Sequence, residues 1–414
     1  MKPHRAFALA VWRVQTSRNP DYFAASRFGS VLPRLAAPRH RLHLDLDLFL
    51  DRLAGEMLAG INLAHGRSKT FLVMAWPATR NAGMRILCFF TVLALAFHTA
   101  AQEPKPLRAG IIGLDTSHAI AFTETLNKGP KNPADADKVA GVRVVAAYPQ
   151  GSRDIESSTK RVPEYTVKMK GLGVEIVDSI EELLKRVDVV LLESNDGRVH
   201  WEQLQPILAA GKPVFIDKPL AGSLADVMRI LDAAQKAKVP MFSSSALRYG
   251  KATQAVRHGS IGKIRTAETF SPMSIEPTHP DLYWYGIHGC ESLFTVMGTG
   301  CKSVKRSTTA DGKVEVIGAW TESRTAIFRE GNGTDRKGYG GKAIGEKGET
   351  AVGAYEGYDV LLFEIVKMFR TGIAPVSAEE TLELYAFMEA ADESKRRGGL
   401  EVTLQEVLEK AAKR

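Results

Sequence analysis

Several features that often classify a protein at once are scarce in this chain of 414 residues. It has three cysteines, Cys88, Cys290 and Cys301, which are too few for a small disulfide-stabilised scaffold. No apolar run approaches the roughly 20 residues that cross a bilayer, so no stable membrane span is expected. Histidine and cysteine show no metal-ligand spacing, and no metal site is predicted. Internal repeats and low-complexity tracts are also missing.

The formal net charge of +8 is confined to one end of the chain. Residues 1–83 hold twelve basic side chains, ten of them arginine, against five acidic ones, whereas residues 84–414 hold 43 basic and 42 acidic side chains. No basic stripe is left in the longer part, so nucleic-acid binding is not expected. With 44% hydrophobic and 25% charged residues, the chain has the composition of an ordinary globular protein of two or three domains.

A secretory signal peptide is predicted at residues 84–101. The segment starts at Met84 with a single arginine, continues with about a dozen apolar residues and ends in small ones. This pattern predicts export to the periplasm or the extracellular space, with a mature chain beginning near Gln102. A buried helix or strand of a longer protein is the alternative. Because a signal peptide is N-terminal, residues 1–83 are interpreted as an over-extended gene start or a disordered extension.

Residues 105–245 are predicted to form a Rossmann-like α/β domain, because short apolar runs alternate with amphipathic stretches. Strands are expected at 107–113, 142–147, 174–177, 187–192, 213–216 and 240–244. Helices are expected at 117–127, 165–170, 180–186, 201–210 and 224–236. This spacing favours a doubly wound parallel sheet with right-handed crossovers.

Residues 246–414 are predicted to form an α+β domain with a mostly antiparallel open sheet, serving substrate binding and oligomerisation. Apolar and polar residues alternate there as in half-buried strands. The expected strands are 263–270, 302–308, 313–319, 324–329 and 341–352. The expected helices are 290–297, 360–370 and 378–396.

The residues that follow each parallel strand are the candidates for ligand contact, since ligands bind at the carboxyl ends of such sheets. After the first strand, a dinucleotide turn would carry three glycines, and only Gly113 is present. Asp115 places a carboxylate where a diphosphate would approach; the alternative is that Asp115 or Ser117 caps the following helix. The candidate cofactor-binding residues are Gly113, Asp115, Thr116, Ser117, His118, Glu193, Ser194, Asn195 and His200.

The fifth strand ends in Asp217-Lys218-Pro219. A lysine at the end of a buried strand, beside a carboxylate and followed by proline, suits proton transfer or a hydrogen bond to a substrate hydroxyl. The alternative is a surface lysine that extends from the strand end into solvent.

At these residues the chain resembles the glucose-fructose oxidoreductase and inositol dehydrogenase family, Gfo/Idh/MocA, over about residues 107–400. The resemblance rests on the opening 109–113, on the run from Asp188 through 210–214 to Asp217-Lys218-Pro219-Leu220, and on Gly286-Ile287-His288. It implies a Rossmann domain, a C-terminal domain with an open sheet, and NAD or NADP as cofactor. It also implies oxidation or reduction of a hydroxyl carbon of a sugar or polyol, and a homo-oligomer.

The same resemblance implies roles for individual residues. Lys218 matches the catalytic lysine and His288 the histidine that moves the substrate's hydroxyl proton, with Asp217 orienting Lys218. Trp284 stands where the family often has an aspartate. The implied substrate-binding residues are Arg248, Tyr249, Trp284 and Glu291.

Two alternatives keep the same fold. One is an exported carbohydrate lyase, hydrolase or isomerase that uses His288, Glu291, Asp115 and His118 as acids and bases. The other is a sugar-binding protein without catalysis. The turn from Gly113 to His118 is the sequence feature that distinguishes these two hypotheses from the nicotinamide-linked one. If the protein is exported, a disulfide between Cys290 and Cys301 could form, and the sequence leaves this open.

Overall fold

The computed structural model describes residues 106–331 and 336–413. The predicted signal peptide at 84–101 and the extension at 1–83 lie outside the described residues. The chain from Ala101 to Arg414 forms one compact unit, and it contains two sheets.

The first sheet has six parallel strands in the order β3-β2-β1-β4-β5-β6. Its strands are β1 Leu107–Ile112, β2 Val142–Tyr148, β3 Glu175–Ile176, β4 Val189–Leu192, β5 Val214–Ile216 and β6 Met241–Ser243. Its helices are α1 Ser117–Lys128, α2 Ala136–Val139, α3 Glu156–Gly171, α4 Ile180–Leu184, α5 His200–Ala209 and α6 Leu224–Ala237. Strand order reverses between β1 and β4, which is where a doubly wound sheet opens a crevice.

Local sequence explains these elements. All four residues of β4 are buried, as expected for a central strand covered on both faces. Helix α6 buries Leu224, Val227, Ile230 and Ala234, whose spacing of three to four residues places them on one face. The helix begins after Ser223, whose hydroxyl accepts the Asp226 N–H and so satisfies one of the free donors of the first turn.

The second sheet has seven strands in the order β12-β11-β7-β10-β9-β8-β13, and only its β7–β10 pair is parallel. Its strands are β7 Ile264–Ser271, β8 Cys301–Thr308, β9 Val314–Trp320, β10 Thr325–Glu330, β11 Gly340–Gly345, β12 Gly348–Ala351 and β13 Val402–Thr403. Its helices are α7 Lys251–Arg257, α8 Ile287–Met297, α9 Asp359–Thr371, α10 Ala378–Arg396 and α11 Leu404–Ala411. The predicted fold class, a Rossmann-like sheet followed by a mostly antiparallel one, is confirmed.

Helix α9 packs with the first sheet although it follows the second in sequence. Leu361, Ile365 and Phe369 share a hydrophobic core with residues of β1 and with Phe122 of α1. Arg370 donates to the carbonyl oxygens of Asp137 and Ala140 in the first domain. Helix α9 follows the predicted domain boundary at residues 245 and 246 in sequence but contributes to the core of the first sheet.

The structure differs from the predicted elements at several places. Helix α3 begins at Glu156 rather than at 165, since its polar first half with Pro163 carries no apolar periodicity. The single strand expected at 341–352 is a hairpin, β11 and β12. Helices α2, α7 and α11 and strand β13 were not predicted.

The cysteines of the second domain are reduced. Cys290 lies in α8 and Cys301 opens β8, and both are buried and free, so the pairing left open from the sequence does not form. Within the described ranges, no helix is both long enough and apolar enough to span a bilayer.

Candidate active site

A small cavity of about 170 Å³ opens at the carboxyl ends of β1 and β5, where the first sheet meets the second domain. Ligand pockets for larger molecules commonly have about 300–1,000 Å³, so this cavity suits one small polar molecule. Its lining residues are Thr116, Ser117, His118, Arg161, Asn195, Asp217, Lys218, Ser245, Ala246, Leu247, Trp284, Tyr285, His288, Tyr339, Tyr355 and Tyr358.

All three residues predicted as catalytic, Asp217, Lys218 and His288, line this cavity. Asp217 and Lys218 follow β5 of the first sheet, whereas His288 lies on α8 of the second domain. The Lys218 ammonium lies over the Tyr285 ring, 5.5 Å from its centroid. His288 Nδ1 lies 2.7 Å from Ser245 Oγ, which holds the imidazole in place. Burial, with the charges of Lys218 and His118, lowers the pKa of His288 well below its usual range, so its ring is neutral at neutral pH and can accept a proton.

The third predicted catalytic residue, Asp217, is wholly buried and contacts a histidine. Its Oδ2 lies 2.9 Å from His118 Nδ1, and its Oδ1 accepts the main-chain N–H of Lys218 at 2.8 Å. Burial would raise the pKa of Asp217, but the neighbouring His118 and Lys218 outweigh it and hold the pKa below its usual range. Asp217 thus holds the main-chain N–H of Lys218 in place and orients the His118 ring.

Glu193 lies behind His118 and is fully buried. Neither of its carboxylate oxygens has a partner at hydrogen-bond geometry, and the hydroxyl of the neighbouring Thr116 is likewise unpaired. Burial and the adjacent Asp217 raise the pKa of Glu193 well above its usual range. Such a group is costly in a folded protein unless a proton or a cation accompanies it.

Aromatic rings form a continuous wall around the cavity. His118 meets Tyr358 edge-on at 4.4 Å between centroids, and Tyr358, Tyr355 and Tyr339 follow at 5.5 and 6.1 Å. Tyr339 then contacts His288 at 5.7 Å. The wall offers apolar faces to a ligand, while its histidines and the Lys218 ammonium offer polar groups, which is the mixture that small-molecule sites use.

The turn after β1 meets one requirement of a dinucleotide site. Gly113 has φ +89°, and a Cβ at this position would lie 2.4 Å from Ser194 N, so only glycine fits there. The first turn of α1, from Thr116 to His118, borders the cavity, in the place where this fold brings a diphosphate to a helix N-terminus.

The next part of the crevice is filled by the chain itself. Asp115 is completely buried; its carboxylate accepts Ser158 Oγ–H at 2.7 Å and the Asn195 N–H at 2.9 Å. Ser158 belongs to α3, and its Oγ also lies 3.0 Å from Asn195 Oδ1. Arg198 on the β4 loop forms two further bonds to Asp154, just before α3. These hydrogen bonds and ion pairs, called here the clasp of α3, hold the start of α3 against the loops after β1 and β4.

These contacts show which parts of NAD or NADP the crevice can accommodate. The diphosphate and nicotinamide positions fit, because the glycine turn and the start of α1 can hold a diphosphate and the cavity borders them. At the adenosine end, the contact of Ser158 with Asp115 and Asn195 occupies the crevice. An adenosine group at this end of the crevice would compete with these hydrogen bonds between α3 and the loops after β1 and β4.

Several predicted site residues have structural roles away from the cavity. Asp115 does not cap α1, because its carboxylate bonds Ser158 and Asn195, and the N-cap Thr116 makes no side-chain bond to the helix. Ser194 Oγ accepts from Gln203. Both ring nitrogens of His200 lie within hydrogen-bond distance of the Ser194 and Leu220 carbonyls, so His200 links the loops after β4 and β5 rather than contacting a cofactor.

Arg248 and Glu291 were predicted to contact substrate but form a buried ion pair, with Arg248 Nε 2.8 Å from Glu291 Oε1. The other side of the Arg248 guanidinium pairs with Glu380. Tyr249 lines a separate cavity near α9. Of the predicted substrate-binding residues, only Trp284 lines the candidate site.

The tyrosine wall, Ser245 and Arg161 were not predicted from the sequence. Tyr339 and Tyr358 follow glycines in the segments 338–341 and 355–358, a pattern of exposed turns with aromatic residues that could have marked ligand-binding loops. Arg161 could not have been found, because only the extra turns of α3 bring it to the Asp115 carbonyl at 3.0 Å.

Replacing Asp115 with Asn is expected to remove a fall of about 3 kcal/mol in the free energy of unfolding between about pH 4 and pH 6. Burial raises the pKa of Asp115 from 3.8 to about 6, so ionising it costs the folded state about 1.4 kcal/mol per pH unit. In the wild type this cost is absent below about pH 4, grows up to about pH 6 and is constant above it, whereas asparagine does not ionise. Urea unfolding of both proteins across this range measures the difference; a variant whose stability falls with pH as steeply as that of the wild type contradicts the expectation.

Comparisons with known proteins agree with the fold. Residues 107–244 match the family model described as an oxidoreductase family with an NAD-binding Rossmann fold. The chain is 32% identical over 128 residues to 1,5-anhydro-D-fructose reductase of Ensifer adhaerens, and 34% identical over 125 residues to myo-inositol 2-dehydrogenase of Thermotoga maritima. These matches cover 30% and 28% of this chain, but only 38% and 36% of the two relatives.

Two solved structures extend the likeness to the second domain. A probable dehydrogenase from Thermotoga maritima aligns with a TM-score of 0.56 at 22% identity, over 73% of this chain and 100% of that one. Scyllo-inositol dehydrogenase from Lactobacillus casei, solved with NAD(H) and scyllo-inositol, aligns with a TM-score of 0.56 at 15% identity, over the same shares. At these identities the likeness establishes the fold.

Proposed function

Since the chain belongs to the Gfo/Idh/MocA oxidoreductase family and carries its NAD-binding Rossmann fold, we propose that it oxidises or reduces a hydroxyl carbon of a sugar or polyol with NAD or NADP. The observation that carries the proposal is the meeting of Lys218 and His288 in one small cavity at the carboxyl ends of the parallel strands. A lysine and a neutral histidine can together handle the proton of a reacting hydroxyl.

The residues of this chain would divide that work between them. The Lys218 ammonium donates a hydrogen bond to the substrate oxygen and stabilises negative charge on it. His288, kept neutral by burial and by the charges of Lys218 and His118, accepts the hydroxyl proton. NAD or NADP, held near Gly113 and the first turn of α1, supplies the hydride acceptor or donor when bound.

The cavity supports a small cyclic polyol as substrate. Its volume of about 170 Å³ matches a single sugar ring better than an oligosaccharide, and the tyrosine wall offers flat apolar faces for C–H groups. Hydroxyl groups would meet Lys218, His288, His118 and Ser117. The names of the relatives, an anhydrofructose reductase and inositol dehydrogenases, point to the same class of compound.

A thermal-shift titration with fragments of the cofactor tests this function. A ligand that binds only the folded state stabilises it by about 2.7 kcal/mol at one hundred times its dissociation constant. NAD, NADP, ADP-ribose and nicotinamide mononucleotide are compared at neutral and slightly alkaline pH. We expect a shift with NAD or NADP, and with ADP-ribose if the start of α3 moves aside. No shift with either dinucleotide would remove the redox proposal.

A second candidate is favoured by the clasp of α3. Because Ser158, Asp115 and Asn195 fill the adenosine end, the cavity also suits an enzyme that transforms a sugar without nicotinamide, or a sugar-binding protein. Of the acids and bases considered for that role, His288 and His118 line the cavity, whereas Asp115 and Glu291 do not. Absence of a dinucleotide shift, together with a shift from a monosaccharide or inositol, would support this candidate.

We propose that the protein is exported, because residues 84–101 have the sequence pattern of a signal peptide. This segment lies outside the described residues. An exported protein would be separated from the cytoplasmic nicotinamide pool, which would weigh toward the second candidate. N-terminal sequencing of the native protein tests it: a mature terminus near Gln102 is expected, and one upstream of Met84 would overturn it.

A further inference from the structure

Three buried side chains from three different elements converge at the inner end of the cavity: His118 of α1, Glu193 after β4 and Asp217 after β5. One nitrogen or oxygen from each lies within 4.8 Å of the other two. We propose that they form a binding site for a divalent first-row transition-metal ion such as Zn²⁺ or Mn²⁺. The proposal does not depend on the redox function.

The state of Glu193 is the first argument for a cation. The residue has no exposed surface, and neither carboxylate oxygen has a hydrogen-bond partner. Buried polar groups without partners are rare in native proteins and require an explanation. The Glu193 carboxylate faces His118 Nδ1, with Oε2 at 3.9 Å, and a bound ion there would supply the missing partner.

The donor atoms are close to a coordinating arrangement. His118 Nδ1 lies 2.9 Å from Asp217 Oδ2 and 3.9 Å from Glu193 Oε2. Ligand bonds of about 2.0–2.2 Å to zinc place tetrahedral donors about 3.4 Å apart. Displacements of roughly an ångström in these side chains would bring the three atoms to the separations that one ion requires, with the His118 ring nitrogen deprotonated.

The surroundings hold the proposed ligands in place. The His118 ring stacks on Phe122 at 5.3 Å and meets Tyr358 edge-on. The second oxygen of Asp217 accepts the Lys218 N–H at 2.8 Å. Contacts of this kind orient metal ligands and raise affinity.

The site would leave coordination positions open toward the cavity. His118 and Asp217 line that cavity, whereas Glu193 lies behind them. Three protein ligands with an open position are typical of catalytic rather than structural metal sites. One imidazole and two carboxylates suit Zn²⁺, Mn²⁺ or Fe²⁺. The ion would bind a hydroxyl or carbonyl oxygen of the ligand and polarise it.

Metal titration of the whole chain tests the proposal. The protein is treated with chelator, dialysed, and titrated with ZnCl₂ and MnCl₂ by calorimetry and by thermal shift. We expect about one equivalent of Zn²⁺ or Mn²⁺ to bind and to raise the melting temperature. Glu193→Gln, which keeps the shape of the side chain and removes its charge, is expected to weaken binding at least tenfold. Glu268→Gln, at a partly exposed position of β7 where the carboxylate pairs with Arg329, is the control and should bind as the wild type does.

A second variant keeps the result interpretable if Glu193→Gln folds poorly. His118→Gln is expected to lose the same binding, since it removes the nitrogen ligand from the opposite side. Absence of a stoichiometric site for either ion in the wild type would overturn the proposal. So would equal affinity in wild type, Glu193→Gln and His118→Gln, because the ion would then bind elsewhere.

Discussion

Replacing Lys218 with Met is expected to lower turnover of the sugar or polyol substrate by roughly 10²- to 10⁴-fold, the range typical of a lost proton-transfer group. Methionine keeps much of the length of the side chain but cannot donate to the substrate oxygen or stabilise charge on it. The fall should appear in kcat and kcat/KM together, because the lost interaction is strongest in the transition state. Spectrophotometric assays with NAD and NADP across inositols and aldoses measure it.

The matched control is Lys263→Met, which removes an exposed lysine that pairs with Glu322 far from the cavity lining. Its turnover should equal that of the wild type. His288→Asn should lose activity to a similar degree as Lys218→Met, since the two act on one proton. Retained turnover in Lys218→Met, with an unchanged melting temperature, would exclude Lys218 from catalysis.

Arg248→Met is expected to cost about 3–5 kcal/mol of unfolding free energy, the usual effect of removing one partner from a buried ion pair. Arg248 and Glu291 are each 2% exposed in their side chains, and Glu380 on the other side of Arg248 is 7% exposed. Loss of the guanidinium leaves Glu291 with the Ser245 N–H and the Ser244 hydroxyl, which do not neutralise its charge. Urea unfolding measures the loss.

Arg257→Met is the matched control. Arg257 also pairs with Glu380 but is 31% exposed, so its loss should cost about 1 kcal/mol or less. The sequence-based hypothesis placed Arg248 in substrate binding. That hypothesis would be supported if Arg248→Met raised KM while leaving stability unchanged, and the structural role would then be wrong.

The first domain shows how far a sequence pattern reaches. Continuous apolar runs such as 189–192 predict buried parallel strands, and Ser223 with Asp226 marks the start of α6, because these signals depend on neighbours in the chain. The first half of α3 carries no such signal: its residues are polar, and Pro163 lies within it. It is helical because Ser158 and Arg161 bond the turn after β1.

Most predicted site residues that line the cavity stand at strand ends or were matched to a family, because such residues fall at the edge of a sheet. They are Thr116, Ser117, His118, Asn195, Asp217, Lys218, Trp284 and His288. Arg248 and Glu291 form a buried ion pair instead of lining the cavity, because a charged residue near a cleft can equally pair with another charge inside. Their partner Glu380 lies 132 positions from Arg248 in the chain.

By itself, the sequence determined the two-sheet architecture, the family resemblance, and the strand ends that carry Asp217 and Lys218, since all of these depend on local periodicity and short motifs. Only the tertiary structure decided three further points: the packing of α9 on the first sheet, the clasp of α3 across the crevice, and the convergence of His118, Glu193 and Asp217. Each depends on contacts between residues that are far apart in the chain. Burial and charge pairing act through space, so such contacts produce no regular spacing that could be recognised in the sequence.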